Sequence, residues 1–148
     1  MSGRGLTYWV SASVDAVVLA HDVILCIEFK TEDKAHSLQA RRQVEDYALD
    51  LRDFHEASRG GRLAPIVVVP KAPRSHFAST EDSTDPVASV RLANAADLSE
   101  VVAEVFECLH CENRDPINAE KWDKSPYHES NIKSGQPCLA VRIRWRNR

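Results

Sequence analysis

Two apolar runs, residues 14–20 (Val-Asp-Ala-Val-Val-Leu-Ala) and 23–29 (Val-Ile-Leu-Cys-Ile-Glu-Phe), are separated only by His21 and Asp22. Two β-rich runs joined by two residues predict a tight hairpin. Neither turn residue is glycine, so the turn type stays open. Both faces of both runs are largely apolar, which suits strands in the middle of a sheet. A two-residue loop sets Ala20 against Val23 and, counting outward, Asp15 against Glu28. Opposed residues point to one face, and Lys30, two positions beyond Glu28, shares it.

Residues 35–58 follow a helical period. Ala40, Val44, Tyr47, Ala48, Leu51, Phe54 and His55 recur at spacings of three and four, and Ser58-Arg59-Gly60-Gly61 ends the helix. Pro65-Ile66-Val67-Val68-Val69-Pro70 reads as a short buried strand bracketed by prolines. Residues 71–86 read as a polar loop and 87–92 as one more strand. Asn94, with Asp97 three positions later, begins a second helix in a near capping-box arrangement. Its apolar stripe is Leu98, Val101, Val102, Val105, Phe106 and Leu109. Asn118 to Trp122 adds a short turn.

The last twenty residues differ in kind. They lack an apolar period, and Val141, Ile143 and Trp145 alternate with Arg142, Arg144 and Arg146. A solvated basic tail is the preferred reading and an amphipathic edge strand the other. The chain is divided accordingly, into an α/β domain over 1–128 and a basic tail over 129–148.

At 148 residues the chain has the length of one ordinary domain, and its 43% hydrophobic content argues against wholesale disorder. No apolar run approaches the roughly 18 residues of a membrane span. No signal-peptide core follows Met1, so a cytoplasmic location is expected. The net charge of −3 is uneven, because residues 129–148 contribute five basic side chains and one acidic one. The acidic body argues against a broad phosphate-binding surface. Four cysteines are too few to staple a chain of this length. Cys108 and Cys111 form a lone CxxC with no second ligand pair, so reduced thiols are expected. His21 and Asp22 are expected as turn residues, His55 as helix-face packing and His110 as a helix end rather than a ligand.

Asp15, Glu28 and Lys30 carry the candidate chemistry. Two carboxylates side by side repel, and burial raises that cost. A divalent cation offsets both, and Mg²⁺ favours oxygen ligands completed by water and phosphate. Lys30 beside it would orient a water or stabilise charge on a phosphate, which suits phosphodiester hydrolysis. Salt-bridged strand-end charges are the plainer alternative. Gln43 and Tyr47 lie four apart on one face of the following helix, near enough in sequence to serve the same site.

Val14-Asp15-Ala16-Val17, Ile27-Glu28-Phe29-Lys30 and Gln43-Val44-Glu45-Asp46-Tyr47 together resemble the PD-(D/E)XK nuclease superfamily with its QxxxY extension. Residues 14–70 and 115–128 resemble more closely the N-terminal region of bacterial Schlafen-group DNA/RNA helicase-like proteins. Residues 47–56 (Tyr-Ala-Leu-Asp-Leu-Arg-Asp-Phe-His-Glu) and 122–127 (Trp-Asp-Lys-Ser-Pro-Tyr) carry that closer likeness. The resemblance implies a mixed central sheet flanked by helices, a restriction-endonuclease-like core. It implies that Asp15 and Glu28 bind Mg²⁺ or Mn²⁺, that Lys30 is catalytic, and that Gln43 and Tyr47 are accessory. DNA or RNA is the implied partner, and a separate helicase or a second copy of the chain is a candidate protein partner.

The departures are specific. The superfamily's usual helix before the first core strand, often bearing another acid, has no counterpart in the 13 residues before Val14, none of which is Asp or Glu. The helicase part and its GxxxxGK[ST] are missing, so no ATP binding is expected. A truncated or frame-shifted version of a longer protein is therefore expected, with residues 129–148 outside the family sequence, either a metal-dependent nuclease-like domain or an inactive, non-catalytic interaction module. Arg142, Arg144 and Arg146 are weak candidates for nucleic-acid contact.

Overall fold

A computed structural model of the protein describes residues 7–10, 15–74, 86–125 and 141–144. In chain order these form β1 (Thr7–Val10), β2 (Ala16–Ala20), β3 (Val23–Phe29), α1 (Leu38–Phe54), β4 (Arg62–Val68), β5 (Arg91–Ala93), α2 (Leu98–Leu109), α3 (Ala119–Lys124) and β6 (Val141–Arg144). The strands make one mixed sheet in the order β5-β4-β3-β2-β1-β6. β3, β4 and β5 run parallel, while β2, β1 and β6 add on antiparallel.

The hairpin forms in the expected register, from Ala20 opposite Val23 out to Ala16 opposite Ile27. β2 starts two residues later than the apolar run, so Asp15 sits in a bend just beyond the ladder. His21 has a φ of +56°, in the left-handed region, which closes the glycine-free turn.

β4 begins three residues before the Pro65 bracket because Arg62 already pairs with Val23. Pro65 lies inside this central strand, where a proline normally removes a ladder bond. The odd-numbered amides of β4 point toward β5, as the Leu63 N–H to the Pro86 carbonyl (2.8 Å) and the Val69 N–H to the Ala93 carbonyl (3.0 Å) record. Pairing on that side is interrupted between the Leu63–Val87 bridge and the Ile66–Arg91 pair. The missing donor of Pro65 therefore falls in a gap of the ladder.

Alternation along the central strands sorts the core into two layers. Ile24, Cys26, Leu63 and Val67 meet Val44, Tyr47, Ala48 and Leu51 of α1. Leu25, Ile27, Ile66 and Val68 meet Val101 and Val105 of α2 on the opposite face. Each fully buried Leu or Ile stabilises by roughly 1.5–3 kcal/mol. The protein is thus α/β, a mixed sheet flanked by helices. Burial pushes the Cys26 thiol far above its ordinary range, so it stays protonated and acts as a small apolar side chain.

The helix ends follow local chemistry. The Ser37 hydroxyl accepts from the Ala40 N–H at 3.1 Å and starts α1. The helix stops at Phe54, short of the predicted residue 58, because His55 turns extended (φ −93°, ψ 111°) ahead of the 3-10 turn Glu56–Ser58. At the start of α2, Asn94 and Asp97 exchange bonds: the Asn94 N–H donates to Asp97 Oδ1 (2.6 Å) and the Asp97 N–H to Asn94 Oδ1 (2.9 Å). This reciprocal pair precedes the helix, which is why α2 opens at Leu98 rather than at Asn94. The Asn118 side chain caps α3 through the Lys121 N–H at 3.0 Å.

Residues 141–144 pair with β1 from Val10 opposite Val141 to Thr7 opposite Arg144, so this part of the tail is an edge strand. Arg142 and Arg144 occupy alternate positions of it. Arg146, most of the loop at 71–86 and the rest of the tail lie outside the described residues. Among the described residues no helix is long and apolar enough to cross a membrane.

His55 closes a buried polar latch. Its Nδ1 lies 2.7 Å from Ser58 Oγ, which also accepts from Trp122 Nε1 of α3 at 2.8 Å. Burial holds the His55 pKa below its ordinary value of 6.5. The folded chain therefore binds fewer protons here than the unfolded chain. Stability from this residue is full above about pH 6.5 and declines as pH falls through the lower folded pKa. Urea denaturation between about pH 7.5 and pH 5 should show that decline, flattened in a His55→Gln chain.

Candidate active site

The hairpin delivers three ionisable groups to the end of β3. Glu28 alternates with Ile24 and Cys26, so it faces the α1 side of the sheet, and it is only 4% exposed. Asp15 reaches across from the bend before β2, where its Oδ2 accepts from the Phe29 N–H at 2.7 Å. Lys30 follows Phe29, and its N–H donates to the Val68 carbonyl at 2.9 Å, which fixes the backbone at the strand end. Its Nζ lies 3.2 Å from Glu28 Oε1. Asp15, Glu28 and Lys30 are therefore brought together as the ladder demands.

The electrostatics are unbalanced. Burial and then the Asp15 charge push the Glu28 carboxyl above its ordinary value. The hydrogen bond and charge of Lys30, with the Asp15 backbone amide, pull the other way without cancelling them. Glu28 Oε2 is buried and, among the described residues, has no hydrogen-bond partner. A buried carboxylate oxygen normally has one, so this atom is left uncompensated.

The predicted accessory pair divides. Tyr47 is buried in the layer between α1 and the sheet, beside Val44, Ala48 and Leu51. Gln43 is exposed on α1. Phe29, between Glu28 and Lys30, is a large apolar side chain 37% exposed at the same end of the sheet.

A second cluster lies at the opposite end of the hairpin. Asp22 is 2% exposed, yet it is a turn residue. Its Oδ1 lies 2.6 Å from His110 Nδ1, just past α2, and its Oδ2 accepts from the Cys111 N–H at 2.9 Å. Burial alone would raise the Asp22 pKa, but the bonds from His110 and Cys111 outweigh it and the carboxyl is held low. The His110 ring stacks on Phe106 (centroids 4.6 Å apart, planes 14° apart) and meets the His21 ring edge-on at 4.8 Å. The Ile117 N–H donates to the His21 carbonyl at 2.6 Å, pinning the turn from the other side. Sequence reasoning missed this grouping because its parts lie 88 residues apart, and an His-Asp dipeptide in a turn carries no local signal of burial.

Comparison with protein-family models, with curated proteins and with solved structures gives no match.

Proposed function

We propose that the domain performs metal-dependent phosphodiester hydrolysis on DNA or RNA, with Asp15, Glu28 and Lys30 as its working groups. The observation that carries this reading is Glu28 Oε2, a buried carboxylate oxygen without a hydrogen-bond partner among the described residues, next to a second carboxylate. Oxygen donors of this kind suit Mg²⁺ or Mn²⁺. Glu28 and Asp15 would hold the ion, which when bound polarises a phosphate oxygen and lowers the pKa of a water. Lys30, half-buried and tied to Glu28, would keep its ammonium at the edge of the carboxylates and stabilise charge on the phosphate. The exposed Phe29 ring offers a face on which an unpaired base can stack. Gln43 stays a candidate for substrate contact from α1, whereas the burial of Tyr47 supports a role in seating that helix.

Labelled single- and double-stranded DNA and RNA, incubated with Mg²⁺ or Mn²⁺, test the reading. Wild type should cut at least one of them, and Lys30→Ala should lower the rate about 10²–10³-fold, as loss of one charge-stabilising group does. Equal rates from the two chains would refute it.

One observation favours a non-catalytic interaction module instead. Asp15 Oδ2 already accepts the Phe29 N–H, which leaves that carboxylate fewer lone pairs for a metal. This reading expects no cleavage and no change in melting temperature with either cation.

A further inference from the structure

We propose that His21, Asp22 and His110 form a second cation site, one for Zn²⁺ or a similar borderline divalent ion, that ties the hairpin turn to the end of α2. The site is separate from the carboxylate pair at Asp15 and Glu28. Five residues of extended strand, Val23 to Ile27, separate Asp22 from Glu28, so the two positions stand roughly 20 Å apart at the usual rise per residue.

The donor geometry carries the inference. One nitrogen of His21, one of His110 and one carboxylate oxygen of Asp22 all lie within 4.8 Å of one another. Zinc binds imidazole nitrogen at about 2.0–2.1 Å and carboxylate oxygen at about 2.0–2.2 Å, so small side-chain rotations bring all three into its shell. Two imidazoles beside one carboxylate favour zinc over magnesium, which prefers an all-oxygen shell.

Each ligand is also held in place. The left-handed backbone at His21 (φ +56°) belongs to a turn pinned by the Ile117 N–H. Phe106 stacks on the His110 ring and sets its plane. Asp22 is buried, and its Oδ2 is anchored by the Cys111 amide. Its Oδ1 stands 2.6 Å from His110 Nδ1, so a cation can take both atoms once the imidazole carries its N–H on Nε2 instead. Arg114 Nη1 stands 3.9 Å from Oδ2, too far for a hydrogen bond, so it compensates the buried charge only weakly. His21 is exposed, which leaves the cluster open to solvent on one side.

Isothermal titration of the metal-stripped full chain with zinc chloride, in buffer containing excess Mg²⁺, tests the site. Wild type should take up one equivalent and melt at a higher temperature when loaded. His21→Asn keeps a residue that tolerates the left-handed region, so it should fold as wild type and bind zinc at least tenfold more weakly. A chain carrying Cys108→Ser and Cys111→Ser should bind as wild type does. The proposal is overturned by a wild type that takes up no zinc, by a His21→Asn chain that binds as tightly, or by loss of binding in the chain with both Cys108 and Cys111 replaced.

Discussion

Glu28→Gln should abolish metal-dependent cleavage and, in the same chain, leave the metal-free protein at least as stable as wild type at neutral pH. The two effects share one cause. The Glu28 carboxyl titrates above its ordinary value because it is buried and faces Asp15. A carboxyl with a raised folded pKa contributes stability that is full below its unfolded value, about 4.5, and is lost as pH rises through the folded value. Burial and the neighbouring Asp15 therefore set the metal-free fold against the charged form of this group. Glutamine has the shape of the neutral acid. Its carbonyl can still accept from Lys30, and its amide can donate to the Asp15 carboxylate where Glu28 repelled it. The loss on the catalytic side should be about a hundredfold or more, since even outer-shell partners of metal sites are worth about 10–100-fold. Melting curves with and without Mg²⁺ or Mn²⁺ separate the outcomes. Wild type should gain from the cation and Glu28→Gln should not. An equal gain in both chains would remove Glu28 from the site.

The hairpin that creates this site was readable because three rules agreed on it. Two apolar runs, a two-residue gap and the period-2 pleat leave one register, and that register places Asp15 beside Glu28. α1 and α2 were readable as amphipathic stripes, and Val44, Ala48, Val101 and Val105 do face the sheet. What escaped is set by partners far along the chain. Pro65 looks like a strand start, and its place inside β4 depends on a gap in the pairing with β5 that the local sequence does not encode. Asp22 looks like any polar turn residue, and its burial depends on His110 and Cys111. Residues 141–144 find a partner in β1, at the opposite end of the sequence, so their alternation alone could not separate strand from tail. The nuclease-like resemblance rests on three short motifs, of which the geometry unites Asp15, Glu28 and Lys30 and buries Tyr47 as packing.

Trp122→Ala should destabilise the fold by about 3–5 kcal/mol, the range for removing a large buried aromatic. Trp122 is 5% exposed and belongs to the same core layer as α1. Its ring packs on His55 with centroids 4.6 Å apart, and its Nε1 donates to Ser58. Removing it opens a cavity under α3 and strips the Ser58 hydroxyl of a donor in a site where Ser58 is fully buried. A second bond, from the Ala57 N–H to Ser125 Oγ at 2.9 Å, also joins this segment to the 3-10 turn that follows α1, so turn and segment are held at two points. Trp122→Phe divides the effect. It keeps an aromatic ring but loses the indole N–H and part of the ring volume, so it should cost at least the roughly 1 kcal/mol of one net hydrogen bond and clearly less than Trp122→Ala. Urea midpoints for the three chains at one pH well above 7, where the lowered His55 pKa no longer affects the balance, give the comparison. Were Trp122→Ala to unfold at nearly the wild-type midpoint, α3 would be resting on the domain rather than holding it, and the latch at His55 and Ser58 would have to draw its stability from α1 and the 3-10 turn alone.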